Sequence, residues 1–193
     1  NNAGVETTEV AIKHAGSVVG SSQSGGPLSA LFFAELTNVD NVIAVDIGGT
    51  SFDASVIPKR TIAMSTDNRI GDQLNAIESV SVDTIGAGGG SIAWLDPRCM
   101  LCIGPDSAGA DPGPACYGKG GKRPTVTDAD VLLGYIPADY FLAGEVKLDV
   151  NLAQQAIEEK IAVPMGIDVI EAAYLIRCVA DSTMADRAFL SLV

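Results

Sequence analysis

Cations, aromatics and histidine are all scarce in this 193-residue sequence, and each scarcity excludes something. Twelve Lys and Arg stand against 24 Asp and Glu, a formal charge of −12. That balance argues against a nucleic-acid backbone or an anionic membrane surface as the main partner. The one histidine, His14, stands far from the cysteines in sequence and reads as a surface or packing residue. A Ser-His-Asp hydrolase would depend on it, and no nucleophile-elbow sequence is present. No apolar run reaches the length needed to cross a bilayer. Four cysteines in an otherwise ordinary chain read as reduced thiols, which places the protein in the cytoplasm. Aromatics are only 5% of residues, but 47% are apolar and 21 are glycine. Such a composition suits a compact α/β domain of a length that can bury a sizeable core.

Periodicity gives a coarse order of elements. Residues 16–22 read as a short strand, "SSQSGG" as a loop, and Pro27 as the first turn of a helix running to about Glu35. Residues 41–47 are an almost unbroken apolar strand. In 51–57, Phe52, Ala54 and Val56 alternate with Ser51, Asp53 and Ser55. After the Pro58-Lys59-Arg60 turn a third strand is predicted near 61–65, completing an antiparallel meander. From Asp83 to Arg123 the density of Gly and Pro predicts little regular structure. Thr127 with Asp130 reads as a capping box for a short helix that ends at Gly134. A helix over 151–161 would present Leu152, Ala156, Ile157 and Ile161. Another, capped by Asp168, would carry the stripe Val169, Ala172, Ala173, Ile176, Val179 and Ala180. Strands first and helices later predict one sheet with helices packed against it.

Within the strand pair "NVIAVDIGGTSFDASVI", spanning Asn41–Ile57, a carboxylate, two glycines and two hydroxyls interrupt the apolar run. Gly48 and Gly49 lack Cβ atoms, so a bulky ligand can approach their peptide N–H groups. Consecutive N–H groups form anion-binding concavities, and Thr50 and Ser51 add hydroxyl donors. Asp46 would repel a bare phosphate and makes sense beside a hard cation such as Mg²⁺. The competing reading is a plain hairpin with a Gly-Gly turn and Asp46 accepting turn hydrogen bonds.

Other segments offer weaker candidates. The Gly86–Ser91 loop, with Gly88, Gly89 and Gly90, could cradle a phosphate or mark a tight crossing of two backbones. "GPDSAGADPGPACYG" reads as a rigid irregular loop whose Asp106, Ser107 and Asp111 face a substrate, face a neighbouring subunit, or merely cap turns. Cys99 and Cys102 have CxxC spacing, but a zinc site needs four ligands and the fourth is missing or distant. Their apolar neighbours make them buried packing thiols. Cys116 is either functional or a small residue in a tight loop.

The pattern apolar strand, Asp-x-Gly-Gly-Thr-x-x-Asp, apolar strand resembles the second phosphate motif of the actin-like ATPases. "VDIGGTSFD", "TIGAGGGSIAW", "GPDSAGADPGPACYGKGG" and "PTVTDADVLLG" in series closely resemble the hydantoinase A/oxoprolinase family within that superfamily. "DYFLAGEVKLD" and "IRCVADSTMADR" extend the likeness over nearly everything after about residue 17. The resemblance implies a single domain over 1–193 with a ribonuclease-H-like actin-type lobe, a mixed sheet and packed helices. It implies ATP and Mg²⁺ as cofactors. Gly48, Gly49, Thr50 and Ser51 would hold phosphate, Asp46 would hold Mg²⁺, Asp46 and Asp53 would be catalytic, and Gly88, Gly89 and Gly90 would border nucleotide or substrate. Related proteins couple ATP cleavage to opening a cyclic amide, as in 5-oxoproline or hydantoins, or to carboxylating a ketone. Partners implied are that small-molecule substrate, the remaining lobe of a longer polypeptide and a hydantoinase B-type subunit, with neither nucleic acid nor membrane. Two departures stand out. The family's own first phosphate motif and adenosine loop do not occur in this stretch, which implies a second-lobe fragment. "SSQSGGPLSA" also differs from the expected Ser-Gly-Pro-Ala-Gly-Gly, so no phosphate role is carried onto Ser24, Gly25 and Gly26. A non-catalytic nucleotide-binding or sensor module is the reading from a different class.

Overall fold

The computed structural model describes residues 6–66, 68–70, 73–75 and 77–190. Helix α1 (Thr8–Lys13) starts at Thr7, whose hydroxyl caps Val10 N. A 3₁₀ turn over Ala15–Ser17 follows, and then α2 (Ser21–Thr37). The strand predicted over 16–22 is therefore absent, and "SSQSGG" is helical, with Pro27 inside the helix rather than at its first turn. Ser24 and Pro27 are buried in α2, and that burial outweighs the poor helix propensity of Ser, Gly and Pro here.

Strands β1 (Val42–Ile47) and β2 (Phe52–Ile57) are neighbours in a sheet of order β1-β2-β7. The four-residue connection makes the first pair antiparallel, because a parallel pair needs a crossover of about a dozen residues. The hairpin expected at 41–57 is present, with Asp46 one residue from the end of β1. β1 lies at the sheet edge, and its apolar run is not enclosed: Ile43, Val45 and Ile47 are 47%, 57% and 56% exposed. In β2, Phe52, Ala54 and Ile57 are buried, and Ser55 joins them by donating to Ser81 O at 2.9 Å. The turn at Pro58–Arg60 is a 3₁₀ turn. The next strand, β3 (Met64–Ser65), does not complete the meander. It pairs antiparallel with β6 (Ser79–Val80), while β4 (Asn68–Ile70) pairs with β5 (Gln73–Asn75). β7 (Asp83–Ile85), distant in sequence, takes the third place.

The glycine-rich middle is more regular than its composition suggests. β8 (Ser91–Leu95) and β9 (Leu101–Ser107) form an antiparallel hairpin, with Trp94 opposite Cys102 and Leu95 opposite Leu101. Together the described residues form four small sheets rather than one.

Helix α3 (Val126–Leu132) is capped by Thr125 and Asp128, two residues before the pair expected, and Gly134 follows its end at φ +79°. α4 (Val150–Ile157) begins at Asp149, passes through a π-turn at Glu158–Ala162 and reaches the single turn α5 (Val163–Met165). It buries Ala153, Ala156, Ile157 and Ile161, whereas Leu152 faces outward. α6 (Val169–Leu190) is capped by Asp168 accepting from Ile170 N at 2.8 Å; Ser191–Val193 lie outside the described residues.

The chain packs as two compact units. The first holds residues 1–46, 53–84 and 187–193, and the second holds 47–52 and 85–186. The second has a core of Ala93, Val126, Ala129, Ile157, Ile161, Ala172, Ala173, Ile176 and Ala180. Small alanines at Ala129, Ala153 and Ala156 let α3 and α4 approach closely, and each fully buried Ile contributes about 1.5–3 kcal/mol. No helix among the described residues is long and apolar enough to cross a membrane.

Candidate functional site

Gly48–Ser51 is a tight turn closed by Gly48 N donating to Ser51 O at 2.9 Å. Two further backbone bonds clamp it from the triple-glycine loop. Gly89 N donates to Gly48 O at 3.0 Å, and Gly90 N donates to Gly49 O at 2.6 Å. The two backbones touch. A Cβ on Gly88 would sit 2.6 Å from Gly48 O and 2.9 Å from Thr50 N, and one on Gly90 would sit 2.7 Å from Gly49 O. Gly89 is held from the other side, since Thr127 Oγ1 would be 2.7 Å from its Cβ and donates to Gly89 O at 2.8 Å. Gly88 N donates to Ser91 Oγ at 2.8 Å.

All three N–H groups of Gly88, Gly89 and Gly90 are thus consumed inside the protein. The run makes a tight crossing of two backbones, and its bonded amides brace the turn. The Gly48–Ser51 turn itself is different. Among the described residues the N–H groups of Gly49, Thr50 and Ser51 make no hydrogen bond within the protein. A Cβ on Gly49 would meet nothing within 4 Å, and one on Gly48 would meet only Ser51 O at an ordinary 3.5 Å. Among the described residues no packing requires glycine at 49. The turn is exposed, and Thr50 Oγ1 lies 3.4 Å from Ser107 Oγ, which sets a second hydroxyl beside it. Exposed amides in series with hydroxyls can bind an anion.

The two carboxylates belong to the first unit. Asp46 and Asp53 line one recess of about 10 Å³ with Gln23, Pro27 and Ser55. Thr84 Oγ1 donates to Asp53 Oδ1, and Gln23 Nε2 donates to Thr84 Oγ1 at 3.3 Å, so the Asp53 carboxylate is oriented by a short relay. Thr84 and Gln23 carry no local signal, because their partners are distant in sequence. Two hard oxygen donors at a small recess fit Mg²⁺, which takes one or two carboxylates and completes its shell with water and phosphate oxygens. Among the described residues no group of three or more His, Cys, Asp or Glu is set to hold a metal, and such a shell requires none.

The remaining candidates have structural surroundings. Asp106 and Ser107 lie on β9 rather than in a loop, and Asp106 pairs with Arg123 at 3.3 Å. Asp111 is exposed. Cys99 is exposed and Cys102 half-buried, so the first is no packing thiol; all four cysteines are free. Cys116 is fully buried. Burial pushes its thiol far above the usual range, and the Asp128 carboxylate beside it adds to the rise. Asp128, also fully buried, accepts from Cys116 N at 2.7 Å, Ala115 N at 3.2 Å and both Thr125 N and Oγ1. It ties the Pro-rich loop to α3, and Cys116 is inert within that tie. Burial holds the Asp130 carboxyl above its ordinary range although Arg177 lies 3.2 Å away.

The profile of the hydantoinase/oxoprolinase family matches residues 4–191. The chain is 43% identical to the caprolactamase alpha subunit of Pseudomonas jessenii over 173 residues, covering 90% of this chain and 25% of that protein. It is 44% identical to the acetophenone carboxylase gamma subunit of Aromatoleum aromaticum over 168 residues, covering 84% and 23%. Among solved structures, a nucleotide-free acetone carboxylase superposes with TM-score 0.77 at 34% identity, covering 90% of this chain and 24% of that one. The ATP-dependent caprolactamase of Pseudomonas jessenii superposes with TM-score 0.73 at 44% identity, covering 84% and 24%. The chain therefore spans about a quarter of the length of these relatives. Matched along almost its whole length, the chain belongs to the hydantoinase/oxoprolinase family.

Proposed function

We propose that this chain supplies the phosphate-gripping hairpin of an ATP-dependent enzyme that opens cyclic amides of the hydantoin or 5-oxoproline type. The observation that carries the reading is the exposed Gly48–Ser51 turn, with three N–H groups free and open space over Gly49. Gly49, Thr50 and Ser51 donate to terminal phosphate oxygens, and Gly48 with Gly88, Gly89 and Gly90 holds the turn in shape. Asp46, two residues before Gly48 along the chain, and Asp53 hold Mg²⁺. When bound, that ion offsets the negative charge that separates a carboxylate from a phosphate. An amide oxygen is a poor reactant until phosphorylated, so the work left to the protein is positioning and charge compensation. The lobe is of the ribonuclease-H-like actin type, in a cytoplasmic protein that works with the rest of a longer polypeptide and a hydantoinase B-type subunit.

A second reading has specific support. The acetophenone carboxylase gamma subunit is as similar to this chain as the caprolactamase subunit. In that case the phosphorylated atom is an enolate oxygen and the substrate a ketone.

Phosphate release by the full-length protein with its partner subunit separates the readings. Mg-ATP is supplied with hydantoin, 5-oxoproline or caprolactam, or with acetone or acetophenone plus bicarbonate. Release dependent on a cyclic amide is the expected result. Release dependent on a ketone and bicarbonate moves the assignment to the carboxylases. No release with any of them leaves a non-catalytic nucleotide-binding module.

A further inference from the structure

A second cavity lies within the second unit, and no residue of the glycine turn lines it. It measures about 790 Å³, a size typical of small-molecule sites. One wall is β8, where Ile92, Ala93, Trp94 and Leu95 face it along with Pro105 and Pro124. Trp94 remains 43% exposed, yet its indole N–H is spent on Gly104 O at 2.7 Å, so the ring is anchored and only its hydrocarbon is offered.

The charges at this cavity are unusual for the chain. Acids outnumber cations two to one overall, but the lining holds Arg123 and Lys160 against the single acid Asp106. Arg123 engages Asp106 through Nη1 at 3.3 Å. The Lys160 side chain makes no ion pair or hydrogen bond among the described residues. It projects from the π-turn at Glu158–Ala162, a distortion of helices often found at functional positions. Cys99, also in the lining, is exposed and sits at φ +60°, a left-handed conformation uncommon outside glycine.

We infer that this cleft binds a small amphipathic anion, its flat apolar body against β8 and Trp94 and its carboxylate beside Lys160 and Arg123. The inference rests on the second unit alone and stands or falls separately from the phosphate reading. Apolar walls supply most of the affinity. The cations select charge, and Lys160 needs no existing bond broken to do so.

The test uses the full-length protein assembled with its partner subunit, with 2-naphthoate as anionic probe and 2-naphthamide as its neutral counterpart, followed by calorimetry. Replacing both Lys160→Gln and Arg123→Gln should weaken naphthoate about tenfold or more and leave naphthamide nearly unchanged. Asp106→Asn should act in the opposite direction, tightening naphthoate by freeing Arg123. In the unaltered protein, naphthoate should protect Cys99 from iodoacetamide, a readout that does not depend on any variant folding. Three results would overturn the inference. They are no naphthoate binding, binding indifferent to the three charge changes, or a Cys99 already shielded before the probe is added, which would mean that a protein surface covers the cleft.

Discussion

The Gly48–Gly49 pair and the Gly88–Gly90 run look alike on paper and owe their glycines to opposite causes. At Gly88 and Gly90 the space for a side chain is already filled by the backbone of the turn, and their amides are bonded. At Gly49 the space is empty, and the neighbouring amides are free. Glycine is kept in the first place by the protein's own packing. In the second, no contact among the described residues calls for glycine, and that difference is what supports the proposed phosphate role. A glycine-rich loop is therefore not a phosphate site until its amides are shown to be unspent.

The comparison can be broken most sharply beside the open turn. In the assembled full-length protein, Asp46→Ala should lower ATP turnover by ~10²-fold or more, because charge compensation matters most as the phosphoryl group departs. Denaturation should show the fold intact, since Asp46 is exposed. Normal turnover in a folded Asp46→Ala protein would remove the metal role.

The glycine pairs should then separate by readout. Gly88→Ala places a Cβ 2.6 Å from a carbonyl oxygen, and overpacking of this kind costs about 1–3 kcal/mol, measured by denaturant unfolding. Gly49→Ala meets no atom, and its φ lies outside the left-handed region. Its stability should change by less than about 0.5 kcal/mol, while its affinity for ATP falls. Equal destabilisation by the two substitutions would erase the distinction.

A smaller effect reports on Cys116. Its thiol is raised in the folded protein, so the folded state keeps a proton that the unfolded chain loses above the ordinary thiol range of about 8.5. Stability is full below that range and falls as pH rises through it, by at most about 1.4 kcal/mol per pH unit. Cys116→Ala should flatten this alkaline slope in urea melts taken from pH 8 upward. The smallest effect belongs to Cys99→Ser with Cys102→Ser, which should leave ATP turnover near that of the unaltered protein. A dead double mutant would shift attention from the turn to the thiols.

Local pattern was enough for the hairpin. Strand-forming residues on both sides of a Gly-Gly turn need only each other, so 41–57 was legible, as were α6 and its cap at Asp168. Tertiary burial overrode local preference in α2, where "SSQSGGP" reads as a loop but buries Ser24 and Pro27 in a helix. The third strand of the first sheet was illegible for a related reason. β7 comes from 26 or more residues beyond β2, and nothing in the spacing names its neighbour. At the site, residue types and their order were visible. Which amides were free, and which acids shared a recess, were not.

The short run "TVTDAD" shows where sequence stops and packing takes over. It contains Thr-x-x-Asp twice, as Thr125 with Asp128 and as Thr127 with Asp130. From the residues alone a capped helix was certain in kind and ambiguous in register. Three-dimensional surroundings resolve it. Asp128 reaches the amides of Ala115 and Cys116 as well as Thr125, while Thr127 turns to Gly89 and Asp130 to Arg177. A buried carboxylate needs several donors at once. Only the position facing the Pro-rich loop has them, and that loop is brought there by the fold.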